Sequence, residues 1–272
     1  MREKLSKPLP RLDFKGQGVF AGCGMRKGEV LECSPVIPMP GEEWRQVSQT
    51  VLRFFGYAWG EDHNDAAIAL GCGSLFCSVP EEPSAYYVNY LEEMVTVFYA
   101  AKDIEQGEEI TVLRRHPGHS AEPKYPGKPG NGVESPDQSG LVREQKTRLL
   151  SIQHSPGKGR GVYARSSIPQ GELIERAAAL FIPAGEWNYI KNTMLSNYWF
   201  SFGPNKEHVA IALGYGSLYN HSYTPNALYE VKEEEMLVQF KALRDIQEGE
   251  EISINYNRDP RDKSPVWFDV FT

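Results

Sequence analysis

The sequence predicts a mainly β protein in which one domain occurs twice. Two observations carry this prediction. Four blocks of the first half recur in the same order in the second half, and short runs rich in Val, Ile, Tyr and Phe alternate with Gly and Pro turns. Four ordered matches do not arise by chance. We therefore interpret the chain as a tandem duplication of a β domain.

The repeated blocks keep almost the same spacing along the chain. The separation between partners is constant over the first three blocks and one residue shorter in the fourth, as the loss of one loop residue would produce. The matched blocks are 15–21 with 158–164, 27–32 with 170–175, 68–76 with 211–219, and 102–111 with 244–253.

The duplication predicts a division of the chain into three regions. We expect one domain over 10–114, a linker over 115–141 that is dense in proline and glycine, and a second domain over 142–272. The linker is long enough for the domains to separate or to pack. Since a small β domain gains by pairing its exposed sheet edges, we expect the first copy to pack on the second within the same chain.

Within each copy the pattern predicts short strands and few helices. Residues 161–164 and 236–240 are typical strands. The charged run 232–235 precedes the second of them and predicts a solvated hairpin tip, with an acidic clamp on substrate as the alternative. Apolar spacing predicts one helix over 185–198 and a partner over 41–55.

The net charge restricts the kinds of binding partner, and the distribution of apolar residues restricts the cellular compartment. The net charge of −7 argues against nucleic acid as a direct partner and favours a basic substrate. The first fifteen residues contain charges and prolines but no apolar run, and no segment is long enough to cross a bilayer. We therefore expect a cytoplasmic or nuclear protein that is not secreted and has no membrane partner.

All four cysteines lie in the first half, at Cys23, Cys33, Cys72 and Cys77. A disulfide framework would not leave the second half bare, so free thiols in a reducing compartment are the expectation. A zinc site formed by Cys72, Cys77 and His63 is the alternative, but the spacing differs from that of a zinc knuckle, and we expect no metal site.

Three blocks of the second copy carry the candidate chemistry: 157–161, 216–226 and 249–257. The glycine cluster of the first block does not predict a phosphate loop, because a strand-like Val-Tyr-Ala follows it rather than a helix. It would instead let the backbone approach a flat ligand closely. An Asn-His pair or a single tyrosine, taken alone, is more typical of core packing.

In this order and spacing, the three blocks resemble the SET domain family of lysine methyltransferases. The resemblance covers about 148–268, and the Asn220-His221-Ser222-Tyr223-Thr224-Pro225-Asn226 segment is its most specific part. It implies two tandem SET-type β-folds of short curved sheets with few short helices. It also implies a pseudoknot in which the two later blocks thread past one another.

The resemblance further implies an enzyme, a protein-lysine N-methyltransferase that uses S-adenosyl-L-methionine on a protein substrate with an accessible lysine. Tyr256 and Tyr219 are the implied catalytic residues. The implied cofactor-binding residues are Lys158, Gly159, Arg160, Gly161, Asn220, His221 and Trp267. A non-catalytic tandem scaffold that binds proteins is the alternative function.

The sequence departs from the family pattern at three places. Tyr223 stands where the family has cysteine, and no cysteine triad follows Tyr256, so the zinc-bound module after the domain is absent. The segment 265–268 could take its place by stacking Trp267 on the adenine or by closing the lysine channel. An aromatic anchor in the core is the alternative. Ile254 replaces the Phe or Tyr that governs how many methyl groups are added.

The expected reaction does not need a strong base. Deprotonating a free lysine at pH 7 costs about 4.6 kcal/mol, and desolvation beside a sulfonium cation lowers that cost. The phenol of Tyr256, with a pKa near 10, is a poor base but can orient the amine.

The first copy lacks these groups and is expected to be inactive. Residues 77–79 stand opposite 220–222, and Arg114 stands opposite Tyr256. An arginine there would repel the sulfonium by about 4 kcal/mol at a separation of about 4 Å and an effective dielectric constant near 20.

Overall fold

The computed structural model describes residues 12–15, 18–117, 150–203 and 205–270, with only the backbone at 12–15. The chain divides into two compact units. Unit 1 comprises Met1–Glu144 together with Gly185–Asn197, and unit 2 comprises Gln145–Ala184 and Tyr198–Thr272. Most of the expected linker, from 118 onward, lies outside the described residues.

Unit 1 is built around a seven-stranded sheet and a separate two-stranded hairpin. Its strands are β1 (Leu12–Lys15), β2 (Gly18–Ala21), β3 (Val30–Met39), β4 (Gly56–Trp59), β5 (Asp65–Ala69), β6 (Cys77–Ser78), β7 (Ala85–Tyr90), β8 (Val95–Ala100) and β9 (Thr111–Val112). The strand order in the sheet is β4-β5-β3-β8-β7-β9-β6, and β1 pairs with β2.

Unit 2 repeats this arrangement with a five-stranded and a four-stranded sheet. Its strands are β10 (Leu150–Ser155), β11 (Gly159–Ala164), β12 (Leu173–Ile182), β13 (Trp199–Phe202), β14 (His208–Ala212), β15 (Asn220–His221), β16 (Ala227–Lys232), β17 (Leu237–Ala242) and β18 (Glu251–Ile254). The orders are β13-β14-β12-β17-β16 and β10-β11-β18-β15. The predicted mainly β fold is confirmed.

The duplication extends to irregularities of the sheets. The long strands β3 and β12 each carry a β-bulge where they pair with β8 and β17. The bulge lies between Val30 and Glu32 in unit 1 and between Leu173 and Glu175 in unit 2, which are equivalent positions of the repeat. Since a bulge is a specific local feature of a fold, its recurrence shows that both copies share one backbone.

The one-residue slip of the repeat falls in a single loop. Residues 79–84 connect β6 to β7, whereas 222–226 connect β15 to β16 with one residue fewer. This shorter loop follows Asn220-His221 directly, so the two copies differ in length beside the candidate site.

Helices are few and short. The region 41–55 contains an α-helix over Gly41–Val47 and a 3-10 helix over Val51–Phe54. The single helix expected over 185–198 is instead two 3-10 helices, Ala184–Tyr189 and Met194–Asn197. The segment contains three asparagines, one glycine and one threonine, and the low helix propensity of these residues does not sustain a continuous α-helix. None of the helices among the described residues is long and apolar enough to cross a membrane.

The segment 185–197 belongs to unit 1 although the repeat assigns it to the second copy. The Glu186 carboxylate accepts from the Val51 amide at 2.8 Å, and the Glu43 carboxylate accepts from the Met194 amide at 2.6 Å. Leu195 is fully buried. Unit 1 is therefore completed by residues from beyond the linker.

Aromatic side chains at equivalent positions fill the centre of each unit. Phe98 on β8 and Phe240 on β17 are both fully buried. Phe98 meets Phe76 edge-to-face at 5.2 Å, and Phe240 meets Tyr219 at 4.6 Å.

The hairpin tip predicted in the acidic run is confirmed, since β16 and β17 pair up to Lys232 and Leu237 around it.

Candidate active site

The candidate site of unit 2 forms where two distant segments pair in parallel. Strand β15 lies beside β18, with Asn220 opposite Ser253 and His221 opposite Ile254. The same parallel pair occurs in unit 1 between β6 and β9. This crossing places the Asn-His pair directly against the chain that leads to Tyr256.

Tyr256 is held at both its backbone and its side chain. Its hydroxyl donates to the Tyr219 carbonyl oxygen at 2.9 Å, and its amide donates to His221 Nδ1 at 3.1 Å. Burial raises the pKa of Tyr256 well above its usual range, so the side chain stays a phenol. Because the hydroxyl hydrogen is used toward Tyr219, the oxygen lone pairs remain available to accept a hydrogen bond.

His221 is a neutral side chain in an aromatic setting. Burial, with a smaller effect of Lys158, lowers its pKa. Its Nδ1 accepts from Tyr256, so the hydrogen of the neutral ring is on Nε2, and this buried nitrogen has no hydrogen-bond partner in the described parts of the chain. The rings of Tyr223 and Tyr256 lie edge-on at 4.6 Å and 5.2 Å. His221 therefore orients Tyr256 rather than acting as a cation.

Polar groups of complementary charge meet beside β11. Asn220 Nδ2 donates to Glu251 Oε1 at 2.7 Å and to the Arg160 carbonyl at 3.2 Å, and Lys158 Nζ lies 3.4 Å from Glu251 Oε2. A Cβ on Gly161 would lie 2.5 Å from Glu251 Oε1 and 2.9 Å from Asn220 Nδ2. Glycine is thus needed at 161 so that these side chains can reach the strand. Gly159 has a positive φ of 79° and open space around it.

The predicted residue Trp267 lies at the same place. Its ring stacks on Tyr256 at 5.8 Å and 23°, while Phe268 is edge-on to His221 at 6.0 Å. Trp267 is 59% exposed, so it covers the tyrosine from the solvent side and is not a core anchor. Gly159, Arg160 and Gly161 lie on β11, and Asn220 and His221 lie on β15. Lys158, Tyr219, Tyr256 and Trp267 are joined to this region by the contacts given above.

Glu175 on β12 was not among the predicted site residues. Its carboxylate accepts from the Tyr219 hydroxyl at 3.2 Å and from the Tyr215 amide at 2.9 Å. In unit 1, Glu32 accepts from the equivalent amide of Cys72 at 2.7 Å, but Phe76 replaces Tyr219 and supplies no hydroxyl. The signal was present in the sequence, because a glutamate ends the second repeated block in both copies.

Burial of the Glu175 carboxyl raises its pKa to about 7, against an ordinary value of 4.5. The folded state therefore keeps a proton that the unfolded state loses between these two values. The stability that this proton provides is fully present below pH 4.5 and is lost as the pH rises through 7.

We expect Glu175→Gln to remove this pH dependence. Glutamine can accept from the Tyr215 amide and donate to the Tyr219 hydroxyl, so it imitates the protonated acid. The wild-type free energy of unfolding, relative to that of the variant, should fall by about 2–3 kcal/mol between pH 4.5 and pH 7.5. Urea denaturation of both proteins at several pH values measures this difference. Parallel curves for the two proteins would contradict the expectation.

Asn226 is a second residue whose role the sequence did not reveal. It is 2% exposed, and its amide donates to the Glu251 carbonyl at 2.8 Å and to Glu250 Oε1 at 3.0 Å. Its Oδ1 accepts from the Ser253 amide at 2.8 Å. Asn226 thus fixes β18 against the loop that follows His221, and a buried amide satisfied on both sides is costly to replace.

In unit 1 an arginine occupies the place of Tyr256. Arg114 donates to the Phe76 carbonyl at 3.0 Å, which is the equivalent of the bond from Tyr256 to Tyr219. It also donates to the carbonyls of Ser74 at 3.2 Å and Phe55 at 3.0 Å. The guanidinium lies 4.3 Å from the centre of the Tyr57 ring. The cation therefore fills the position where unit 2 keeps the tyrosine hydroxyl.

Metal-binding side chains do not cluster in the described residues: no group of three or more His, Cys, Asp or Glu side chains is placed to hold an ion. The four cysteines are free thiols, and burial raises the pKa of Cys33 to about 12.

Comparison with known proteins identifies the family. The SET domain profile matches residues 16–113 and 159–257, one match in each repeat. A histone-lysine N-methyltransferase of Schizosaccharomyces pombe, specific for lysine 37 of histone H3, is 30% identical over 121 residues, which cover 44% of this chain and 77% of that protein.

Two solved structures are also similar. A Plasmodium falciparum protein described as a candidate histone methyltransferase is 31% identical and superposes with a TM-score of 0.33, covering 40% of this chain and 92% of its own. Polycomb Repressive Complex 2 of Chaetomium thermophilum, bound to S-adenosylmethionine, is 21% identical with a TM-score of 0.35, covering 40% of this chain and 15% of its own. Since the family profile matches both repeats and more than half of the residues, the chain belongs to the SET domain family.

Proposed function

We propose that the second repeat is the catalytic copy of an S-adenosylmethionine-dependent protein-lysine methyltransferase. The observation that carries this proposal is the bond from the Tyr256 hydroxyl to the Tyr219 carbonyl, formed beside Asn220 and His221. It presents a buried phenol oxygen as an acceptor at the point where the family motifs cross. The first repeat has Arg114 at that point and supplies no such acceptor.

The residues beside β11 fit the amino-acid part of S-adenosylmethionine. Lys158 offers an ammonium for its carboxylate, while Glu251, the Asn220 amide oxygen and the Arg160 carbonyl offer acceptors for its ammonium. The buried Nε2 of His221 offers a hydrogen-bond donor to the rest of the molecule. The open space around Gly159 offers room for it. When bound, this cofactor supplies a methyl group activated by a positively charged sulfur.

The chain's own residues would prepare the substrate amine. Tyr256 can accept a hydrogen bond from the lysine nitrogen and hold its lone pair in line. Its raised pKa prevents it from serving as the base, so lysine deprotonation depends on desolvation, which lowers an amine pKa. Trp267 and Phe268 exclude water from one side of Tyr256. The leaving proton passes to solvent as the amine enters the site.

We propose a protein substrate that presents a lysine in a basic segment, because the net charge of −7 attracts cations. A histone tail is the first candidate, given the Schizosaccharomyces pombe relative, and no direct contact with nucleic acid is proposed. Free thiols at all four cysteines support a reducing compartment, cytoplasmic or nuclear.

Calorimetric titration of the full chain with S-adenosylmethionine tests the cofactor assignment. Incubation with histone H3 peptides and mass spectrometry then tests methyl transfer. We expect the wild-type chain to bind one S-adenosylmethionine. The variant Asn220→Ala should bind it more weakly. Absence of binding would refute the enzyme and favour the non-catalytic scaffold.

We further propose that the first copy is a structural partner of the second within the chain. The support is that unit 1 contains 185–197, whose residues Ile190 and Leu195 are 1% and 0% exposed. A copy that has exchanged its catalytic tyrosine for an arginine but keeps the whole fold is well suited to such a role.

Residues 141–272 expressed alone should therefore be less stable than the full chain. Losing the partners of Ile190 and Leu195 exposes two aliphatic side chains, each of which contributes about 1.5–3 kcal/mol when buried. We expect a lower unfolding midpoint and self-association, measured by calorimetry and light scattering, with partial rescue by residues 1–140 added in trans. A fragment as stable, monomeric and active as the full chain would refute the partnership.

A further inference from the structure

Residues 262–268 form an aromatic tail that reaches back over the site. The chain leaves the sheet after Ile254, the last residue of β18, and returns so that Trp267 stacks on the Tyr256 ring at 5.8 Å. Trp267 and Phe268 are 59% and 40% exposed, so burial of these rings holds the tail only in part. Hydrogen bonds to the tail complete its attachment.

Those bonds converge on Tyr223. Its hydroxyl donates to the Ser264 carbonyl at 3.1 Å and accepts from the Val266 amide at 3.3 Å. It thus uses its single hydrogen and a lone pair on two backbone groups of the tail, on either side of Pro265. Lys263 also contacts Tyr223. Its ammonium donates to the Tyr223 carbonyl and lies 5.9 Å from the centre of the Tyr223 ring.

Two asparagines secure the beginning of the tail. Asn255, which is 2% exposed, donates to the Asp262 carbonyl at 2.7 Å, and Asn257 donates to the Ser264 carbonyl at 2.7 Å. These bonds end at Ser264. Among the described residues, Tyr223 is the hydrogen-bond partner of Val266, the residue that immediately precedes Trp267.

Tyr223 contacts the site through His221. Its ring meets His221 edge-on at 4.6 Å, and His221 Nδ1 accepts from the Tyr256 amide. The phenol that holds the tail and the residue that the tail covers are therefore attached to the same histidine. Tyr223 has no part in the contacts proposed for cofactor or lysine.

We propose that Tyr223 is a positioning residue whose hydroxyl latches the aromatic tail, so that Trp267 covers Tyr256 and completes the methyl-transfer site. This inference rests on the proposed function. The latch is reversible, since its bonds lie at the surface, and the tail can open for exchange of cofactor or product.

The test is Tyr223→Phe, which keeps the ring against His221 and removes only the hydroxyl. Hydrogen exchange across 264–268 should become about tenfold faster, because the Val266 amide loses its acceptor. The unfolding midpoint should barely change, since the latch lies at the surface. Tyr189→Phe, which removes an exposed hydroxyl from unit 1, is the matched control and should leave tail exchange unchanged.

Kinetics decide whether the latch serves the site. The kcat/KM for methyl transfer should fall about tenfold, which corresponds to a net loss of about 1.4 kcal/mol for the two hydrogen bonds that the hydroxyl makes to the tail. A higher Kd for S-adenosylmethionine would mean that Trp267 covers the cofactor, and a higher KM for peptide would mean that it closes the lysine channel. Either result supports the latch.

A double-variant comparison with Trp267→Ala tests whether Tyr223 acts through Trp267. If Tyr223 acts through Trp267, the double variant should be no slower than Trp267→Ala alone. The proposal would be overturned if Tyr223→Phe left hydrogen exchange of the tail unchanged or left kcat/KM unchanged. It would also be overturned if the double variant lost kcat/KM by the product of the two single losses. A wild-type chain that neither binds cofactor nor methylates would refute the proposed function, whereas attachment of the tail is decided separately by the exchange experiment.

Discussion

Tyr256→Phe is expected to fold normally, to bind the cofactor and to lose most of its turnover, by roughly 10²–10³-fold. The substitution keeps the ring that packs against His221 and Trp267. It removes the oxygen that would orient the lysine nitrogen, and it leaves the Tyr219 carbonyl without its donor. The loss should appear in kcat rather than in cofactor affinity, because positioning acts on the reacting geometry.

Single-turnover methyl transfer to a histone H3 peptide, followed by mass spectrometry, measures the effect, and calorimetry shows whether cofactor affinity is kept. Tyr229→Phe is a matched control, since within the described residues its hydroxyl donates to the Tyr256 backbone carbonyl, at 3.4 Å, and not to a proposed reacting group. This control should change the rate by less than about threefold. A Tyr256→Phe variant with near-wild-type turnover would exclude the residue from the mechanism.

Arg114→Met should destabilise the protein by roughly 3–5 kcal/mol, because each buried carbonyl that loses its donor costs about 1–3 kcal/mol. Arg114 is 6% exposed and donates to three backbone carbonyls, which methionine would leave without a donor. Arg114→Lys keeps the charge but loses the planar arrangement of donors, so we expect an intermediate loss.

Guanidinium chloride denaturation of the full chain measures these differences. Arg53→Met removes an exposed arginine of unit 1, 4.5 Å from the centre of the Phe54 ring, and should cost less than about 1 kcal/mol. At temperatures where the Arg114 variants remain folded, methyl transfer should continue, because the proposed site lies in unit 2. A loss below about 1 kcal/mol for Arg114→Met would mean that the arginine is not structural.

The mainly β fold class could be predicted because strands leave a local signature. Alternating apolar runs between glycine and proline turns marked the strands, and the repeat marked the duplicated backbone. The expected helix over 185–198 was wrong in detail, since apolar spacing does not distinguish a continuous α-helix from two 3-10 helices. The expected bounds of the first domain did not include 185–197, because membership of a unit depends on contacts across the chain.

The candidate site was predictable only where several residues together followed a family pattern, since each of them alone is typical of core packing. Asn220, His221 and Tyr256 stood out because their order matched a family pattern. Glu175 did not, because a glutamate in a strand is ordinary until its carboxyl is seen to meet the Tyr219 hydroxyl. Its raised pKa follows from burial, which sequence spacing does not report.

The sequence by itself therefore determined that this protein is a duplicated β fold with family motifs intact only in the second copy. Tertiary structure alone decided which side chain donates to the backbone carbonyl where the parallel strands of each copy meet. In unit 2 the Tyr219 carbonyl accepts from Tyr256, and in unit 1 the equivalent Phe76 carbonyl accepts from Arg114. It also decided that Tyr223 meets the aromatic tail. Such contacts join residues far apart in the chain, and backbone carbonyls are chemically alike at every position. Only their placement in three dimensions distinguishes them.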